Sequence, residues 1–215
     1  MRYKNLDIQK LNHASVKIKN SLTIYFDPFK ILDKEAEPAD LVFITHEHFD
    51  HCSPEDLKKI IGPETILITI SACQDNLSGL EAKEIKYVKP MEQLEIKNVR
   101  IEVVPAYNIN KFRSPGIPFH PLGDEKVGFV VTIDGVKVYF AGDTDNIPEM
   151  ANLKNIDIAF LPVSGTYVMT AEEAASAVKI INPKIAIPLH YGDVVGTVQD
   201  AERFKELSSV LVEII

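Results

Sequence analysis

Residues 46–51 read His46-Glu47-His48-Phe49-Asp50-His51, and half of the chain's six histidines fall inside this run. Imidazole and carboxylate are ligands that zinc, iron and manganese accept, and a metal with open positions is how proteins activate water at neutral pH. The run follows the apolar stretch Leu41-Val42-Phe43-Ile44-Thr45, so its donors stand at the mouth of a buried strand. Side chains alternate along an extended segment, which puts His46 and His48 on one side. A turn at Asp50-His51 then aims the second pair at a neighbouring position. This spacing suits two close metal ions better than one. The density of ligands argues against a plain polar surface loop.

These donors need a scaffold, and 215 residues are enough for one domain, 1–215, with a substantial core. Apolar residues make up 46% and charged residues 25%, ordinary for a globular protein. No apolar run reaches the roughly 18 residues that a membrane span requires. The start of the chain, Met1-Arg2-Tyr3-Lys4-Asn5-Leu6-Asp7, lacks the apolar core of a secretion signal. Cys52 and Cys73 form no disulfide framework, so the expected location is the reducing cytoplasm. Cys52 reads as a small buried residue rather than a ligand. A net charge of −8 argues against sequence-independent binding to nucleic acid, although a local basic patch could still receive an anionic group.

Residues 7–11, 14–19 and 22–27 read as a β-meander, and residues 40–45 as the strand that delivers the histidines. Ser53 caps a short helix that carries Pro54 at its first position and ends before Gly62. Strands follow at 65–70, 85–88, 93–97 and 99–105. Residues 108–126, rich in proline and glycine, form a long irregular stretch of the kind that is usually functional. Asp134-Gly135 joins a hairpin of residues 128–133 and 136–141. After a strand at 158–162, Thr170 and Glu173 make a capping box for an apolar-striped helix that ends at Asn182-Pro183. A strand at 184–189, a helix from about residue 200 to 208, and a last strand at 210–214 close the chain. Meanders first and alternating strands and helices later give a layered α/β or α+β fold. No internal repeat is visible by residue identity.

Two further strands end in metal-ligating residues. Tyr139-Phe140-Ala141-Gly142-Asp143-Thr144 ends in a carboxylate, and Ile185-Ala186-Ile187-Pro188-Leu189-His190 ends in an imidazole. The pattern His-x-His-x-Asp-His after an apolar strand resembles the metal-binding motif of the metallo-β-lactamase superfamily. Gly-Asp-Thr around Asp143 and the strand-end His190 are similar to its later ligands. Asn12-His13-Ala14-Ser15 and Tyr25-Phe26-Asp27-Pro28 resemble stretches near the start of such proteins. The single-domain layout is most similar to the branch that includes ascorbate-6-phosphate lactonase and N-acyl-phosphatidylethanolamine phospholipase D.

The resemblance implies an α+β fold, the four-layer αββα sandwich, and a metal-dependent hydrolase. A metal-activated hydroxide would attack an ester, lactone or phosphodiester, making the activity lactonase-like or phosphodiesterase-like. It implies two divalent ions, zinc first, with manganese or iron as alternatives. His46, His48 and His120 would hold one ion and Asp50, His51 and His190 the other, with Asp143 between them. The third histidine departs from the family pattern, because Asn108 stands where some branches carry it; His120, shortly before Gly128-Phe129-Val130, is the expected ligand. His13 and Asp27 are expected to support the ligands rather than bind metal, and Asp50 to orient the nucleophile or take its proton. Two divalent ions less two carboxylates and a hydroxide leave a positive balance, which favours an anionic small-molecule substrate. Lys111 and Arg113 are candidates to clamp its anionic group, and Thr166, Tyr167 and Tyr191 to donate to an oxyanion. Rival readings are a mononuclear-iron redox enzyme on the same fold and a non-catalytic metal-binding protein.

Overall fold

The apolar runs of the first part of the chain fold as one seven-stranded sheet. The computed structural model describes residues 1–215. Packing divides them into two compact units, Met1–Val88 with Ile215, and Lys89–Ile214. In the first unit, β1 (Arg2–Tyr3), β2 (Leu6–Asn12), β3 (Ser15–Lys19) and β4 (Thr23–Phe26) are antiparallel neighbours. They continue into the parallel strands β5 (Leu41–Phe43), β6 (Ile66–Thr69) and β7 (Glu84–Tyr87). Every residue of β5 and β6 is buried, as expected of central parallel strands covered on both faces. Phe26 of β4 stacks on Phe43 of β5 with ring centroids 4.9 Å apart, which fixes the two strand ends that carry Asp27 and His46. Helix α1 (Pro54–Ile60) connects β5 to β6; the Ser53 hydroxyl accepts from the Asp56 amide and Pro54 opens the first turn.

The second unit also has one seven-stranded sheet. β8 (Gln93–Ile96), β9 (Val99–Pro105), β12 (Val127–Ile133) and β13 (Val136–Phe140) are antiparallel neighbours in that order. The parallel strands β14 (Ile158–Pro162), β15 (Ile185–Leu189) and β16 (Leu211–Val212) complete it. Asp134 and Gly135 both take positive φ, 47° and 77°, which makes the tight β12–β13 turn that this residue pair favours. Helix α2 (Ala171–Ile181) carries the expected capping box between Thr170 and Glu173 and buries an alanine-rich face. That face shares a core with Ala201 and Phe204 of α3 (Val198–Leu207), with Tyr139 and with Tyr191.

The two sheets share one topological plan that residue identity conceals. Each has three antiparallel pairings followed by three parallel ones along its strand order. β4 and β13 hold the same place in this plan, and the chain reaches Asp27 and Asp143 just after them. Two mixed sheets with few helices are the expected α+β class. Residues 108–126 depart from expectation: they contain a small hairpin of β10 (Phe112–Ser114) and β11 (Ile117–Pro118) and a single helical turn, Leu122–Asp124.

Candidate metal centre

Each unit gathers metal-ligating side chains at the carboxyl ends of its parallel strands, the edge where open sheets with crossover helices place their ligands. In the first unit the chain leaves β4 at Asp27, whose φ of 42° is left-handed, and leaves β5 through Thr45 into the histidine run. Asp27, His46 and His51 are buried, while His48 is partly exposed. One carboxylate organises two imidazoles. Asp27 Oδ2 accepts from His51 Nδ1 at 2.7 Å and from the Thr45 hydroxyl at 2.7 Å, and Oδ1 accepts from the Thr45 amide at 2.8 Å. Complete burial pushes the Asp27 carboxyl up, against the opposing pull of His51 and the Thr45 donors.

These bonds place the ring protons. The Thr45 hydroxyl gives its hydrogen to Asp27, so it must accept from His46 Nδ1, 2.9 Å away. His46 and His51 therefore both carry hydrogen on Nδ1 and present Nε2 as a lone pair. His46 Nε2 lies 3.0 Å from His48 Nδ1. Two imidazoles bound to one tetrahedral zinc at 2.0–2.1 Å have their nitrogens about 3.3 Å apart, so the pair is already close to that spacing. His51 Nε2 lies 3.6 Å from Asp50 Oδ2. His13, left-handed at φ 38°, brings its Nε2 to 3.5 Å from the same oxygen, directly against a proposed ligand rather than behind one.

The second unit repeats the arrangement with other partners. His190, left-handed at φ 60°, follows β15. Its Nδ1 lies 3.0 Å from Ser164 Oγ, whose own hydrogen goes to the Thr166 carbonyl. His120 Nδ1 lies 3.0 Å from Asn108 Oδ1, which also accepts the His120 amide. Both acceptors fix the proton on Nδ1. The Nε2 atoms of His120 and His190 then face Asp143 Oδ2 at 3.6 and 3.3 Å. A lone pair against a carboxylate oxygen repels, and a shared divalent cation turns the repulsion into coordination. Nitrogen and oxygen donors of this kind, with their outer nitrogens anchored, fit zinc, manganese or iron.

Asn108 thus acts on His120 through its carbonyl oxygen. Three partners were not singled out in the sequence, Thr45, Ser164 and Asn108 in its acceptor role, because a hydroxyl or amide facing an imidazole leaves no local pattern. Gly196 is another: a Cβ there would meet the Ser164 Cβ at 2.6 Å, so its lack of a side chain makes room for the partner of His190. Lys111, expected at a substrate anion, has its ammonium 2.7 Å from Glu173 Oε2 and 3.5 Å from Asp145 Oδ1. Arg113 is exposed and donates to the Phe119 carbonyl. Tyr167 is partly exposed and stacks edge-on against Phe119, and Thr166 is exposed. Tyr191 packs in the apolar core, and burial pushes its hydroxyl up.

Strand topology and donor chemistry define a metal-binding protein of the metallo-β-lactamase fold. A family profile described as a beta-lactamase superfamily domain matches residues 7–190, and the chain belongs to that superfamily, among its metal-dependent hydrolases. It is 31% identical to a UPF0173 metal-dependent hydrolase of Thermococcus onnurineus, over 97% of this chain and 94% of that protein. A crystal structure from Parabacteroides distasonis, assigned to the metal-dependent hydrolases, is 36% identical with a TM-score of 0.82, covering 97% of this chain and 92% of the other. Igni18, described as a metallo hydrolase of Ignicoccus hospitalis, shares the fold with a TM-score of 0.76 at 21% identity, over 98% of this chain and 94% of its own.

Proposed function

We propose that the two donor sets serve one dinuclear centre that hydrolyses an ester, lactone or phosphodiester carrying an anionic group. His46, His48 and His120 would hold one divalent ion and Asp50, His51 and His190 the second, with Asp143 serving both. Zinc is the first candidate, with manganese and iron as alternatives. The observation that carries this reading is the placement of the ring protons. Four imidazoles are anchored through Nδ1, and three of them turn Nε2 toward the carboxylates of Asp50 and Asp143. The family match covers residues 7–190, which include every residue of both sets.

When bound, divalent ions polarise a carbonyl or phosphoryl oxygen and bring water into ionisation near neutral pH. Asp50, set against His13 and His51, orients the attacking water and takes up its proton. Asp50 and Asp143 offset two of the four positive charges of such a pair, and the remainder draws an anionic substrate. Arg113 is the exposed cation of the 108–126 stretch that could meet the substrate's anionic group, since Lys111 is engaged by two carboxylates.

The test is a panel of esters, lactones and phosphodiesters assayed on chelator-treated protein before and after zinc or manganese is restored. Hydrolysis of at least one class should vanish with the metal and return with it. A reloaded protein that hydrolyses nothing would mean a metal-binding role without turnover. Iron with unpaired spins and oxygen-dependent chemistry would mean a redox enzyme.

A further inference from the structure

We propose that Asp145 is a positioning residue for His120, acting through the side-chain amide of Asn108. The inference rests on the reading of His120 as a metal ligand. An amide has a donating end and an accepting end, and whichever end faces an imidazole decides where the ring carries its proton. Asn108 Nδ2 lies 3.3 Å from Asp145 Oδ1 and 2.8 Å from the Tyr167 carbonyl. Both of these partners can only accept. The NH₂ group of Asn108 must therefore point at them, which leaves Oδ1 toward His120 and requires hydrogen on His120 Nδ1. Nε2 is then a lone pair facing Asp143.

Asp145 is suited to this role beyond the one contact. Its Oδ2 accepts from the Ile109 and Asn110 amides at 2.6 and 2.9 Å, and its own amide donates to the Tyr107 carbonyl at 2.9 Å. The Thr144 hydroxyl adds bonds to the Tyr107 amide and carbonyl. The segment that carries Asp143 is thereby tied to the segment that opens toward His120. Asp145 is 2% exposed, and the Lys111 ammonium, itself held by Glu173, offsets its buried charge. Lys111 thus belongs to the support of His120.

The test uses protein labelled with ¹⁵N-histidine, in zinc-loaded and chelator-treated forms at pH 8, with zinc affinity measured in parallel. His120 of the unaltered protein should show a slowly exchanging Nδ1–H. Asp145→Asn keeps the shape and the acceptor for Ile109 and Asn110 but opposes one NH₂ group to another. It should speed exchange of that proton and weaken binding of one zinc equivalent by about tenfold to a hundredfold, the range for a lost partner of a ligand. Asn108→Leu should go further and populate the Nε2–H form in the chelated protein, which checks the same step independently. Unchanged exchange, tautomer and affinity in both variants would overturn the proposal. His120→Ala separates the underlying reading: if zinc stoichiometry is unaltered in that variant, His120 is not a ligand, whatever holds its proton.

Discussion

A histidine can offer a metal only the nitrogen that does not carry its proton, and the buried acceptors around this chain's imidazoles make that choice beforehand. Asp27 makes it for two rings, directly for His51 and through Thr45 for His46. Asp27→Asn should therefore weaken zinc binding by about tenfold to a hundredfold, read by competition with a chromophoric chelator. Unchanged affinity would mean that Asp27 only caps the end of its strand. Asp143→Asn keeps shape but removes the charge facing His120 and His190, and turnover of any substrate should fall by roughly a hundredfold or more. Near-normal turnover would reduce Asp143 to a turn residue. Lys111→Ala should lower the melting temperature, because it strips the counter-charge from Asp145 and Glu173. KM for an anionic substrate should change by no more than about twofold, and a tenfold rise at low salt would return Lys111 to the substrate.

At the scale of elements, much was legible because local chemistry alone sets the outcome. The apolar runs of β5, β6, β14 and β15, the Asp134-Gly135 turn and the Thr170–Glu173 capping box all appear where sequence reading put them. The β10–β11 hairpin was not legible. Its residues Phe112, Arg113 and Ser114 are all exposed, so no alternation of apolar and polar positions marks a strand. Nor was the contact between Asn108 and His120 legible, since it depends on which end of an amide faces a ring twelve residues away.

Gly128 in β12 passes so close to β13 that a Cβ would meet the carbonyl oxygens of Ala141 and Phe140 at 2.6 and 2.7 Å. Gly128→Ala should destabilise by about 1–3 kcal/mol by pushing apart the strand that leads to Asp143, measured by denaturant unfolding. Burial would raise the Glu173 carboxyl, but Lys111, the Thr170 amide and Asn110 hold it below its ordinary value of 4.5. A carboxylate depressed in the folded state adds stability above that value and loses it as pH falls through the folded-state range. The melting-temperature gap between the unaltered protein and Glu173→Gln should thus be open at pH 7 and close toward pH 3. A gap independent of pH would show that Glu173 acts by shape alone.

At the scale of the whole molecule, a chain with a net charge of −8 nevertheless concentrates five of its six histidines in two donor sets. No helix in it is long and apolar enough to cross a membrane. Its two sheets follow one plan of strand order and direction, and in each the chain reaches a buried aspartate shortly after the corresponding strand. One of these aspartates anchors histidines from behind; the other faces them. That division of labour makes the central claim quantitative, because seven ligands in the proposed sets are enough for two ions. Elemental analysis of the protein after equilibration with zinc and removal of excess tests it most directly. A dinuclear centre predicts close to two equivalents per chain, falling toward one in His120→Ala and staying at two in His13→Ala. Saturation at one equivalent in the unaltered protein would contradict it.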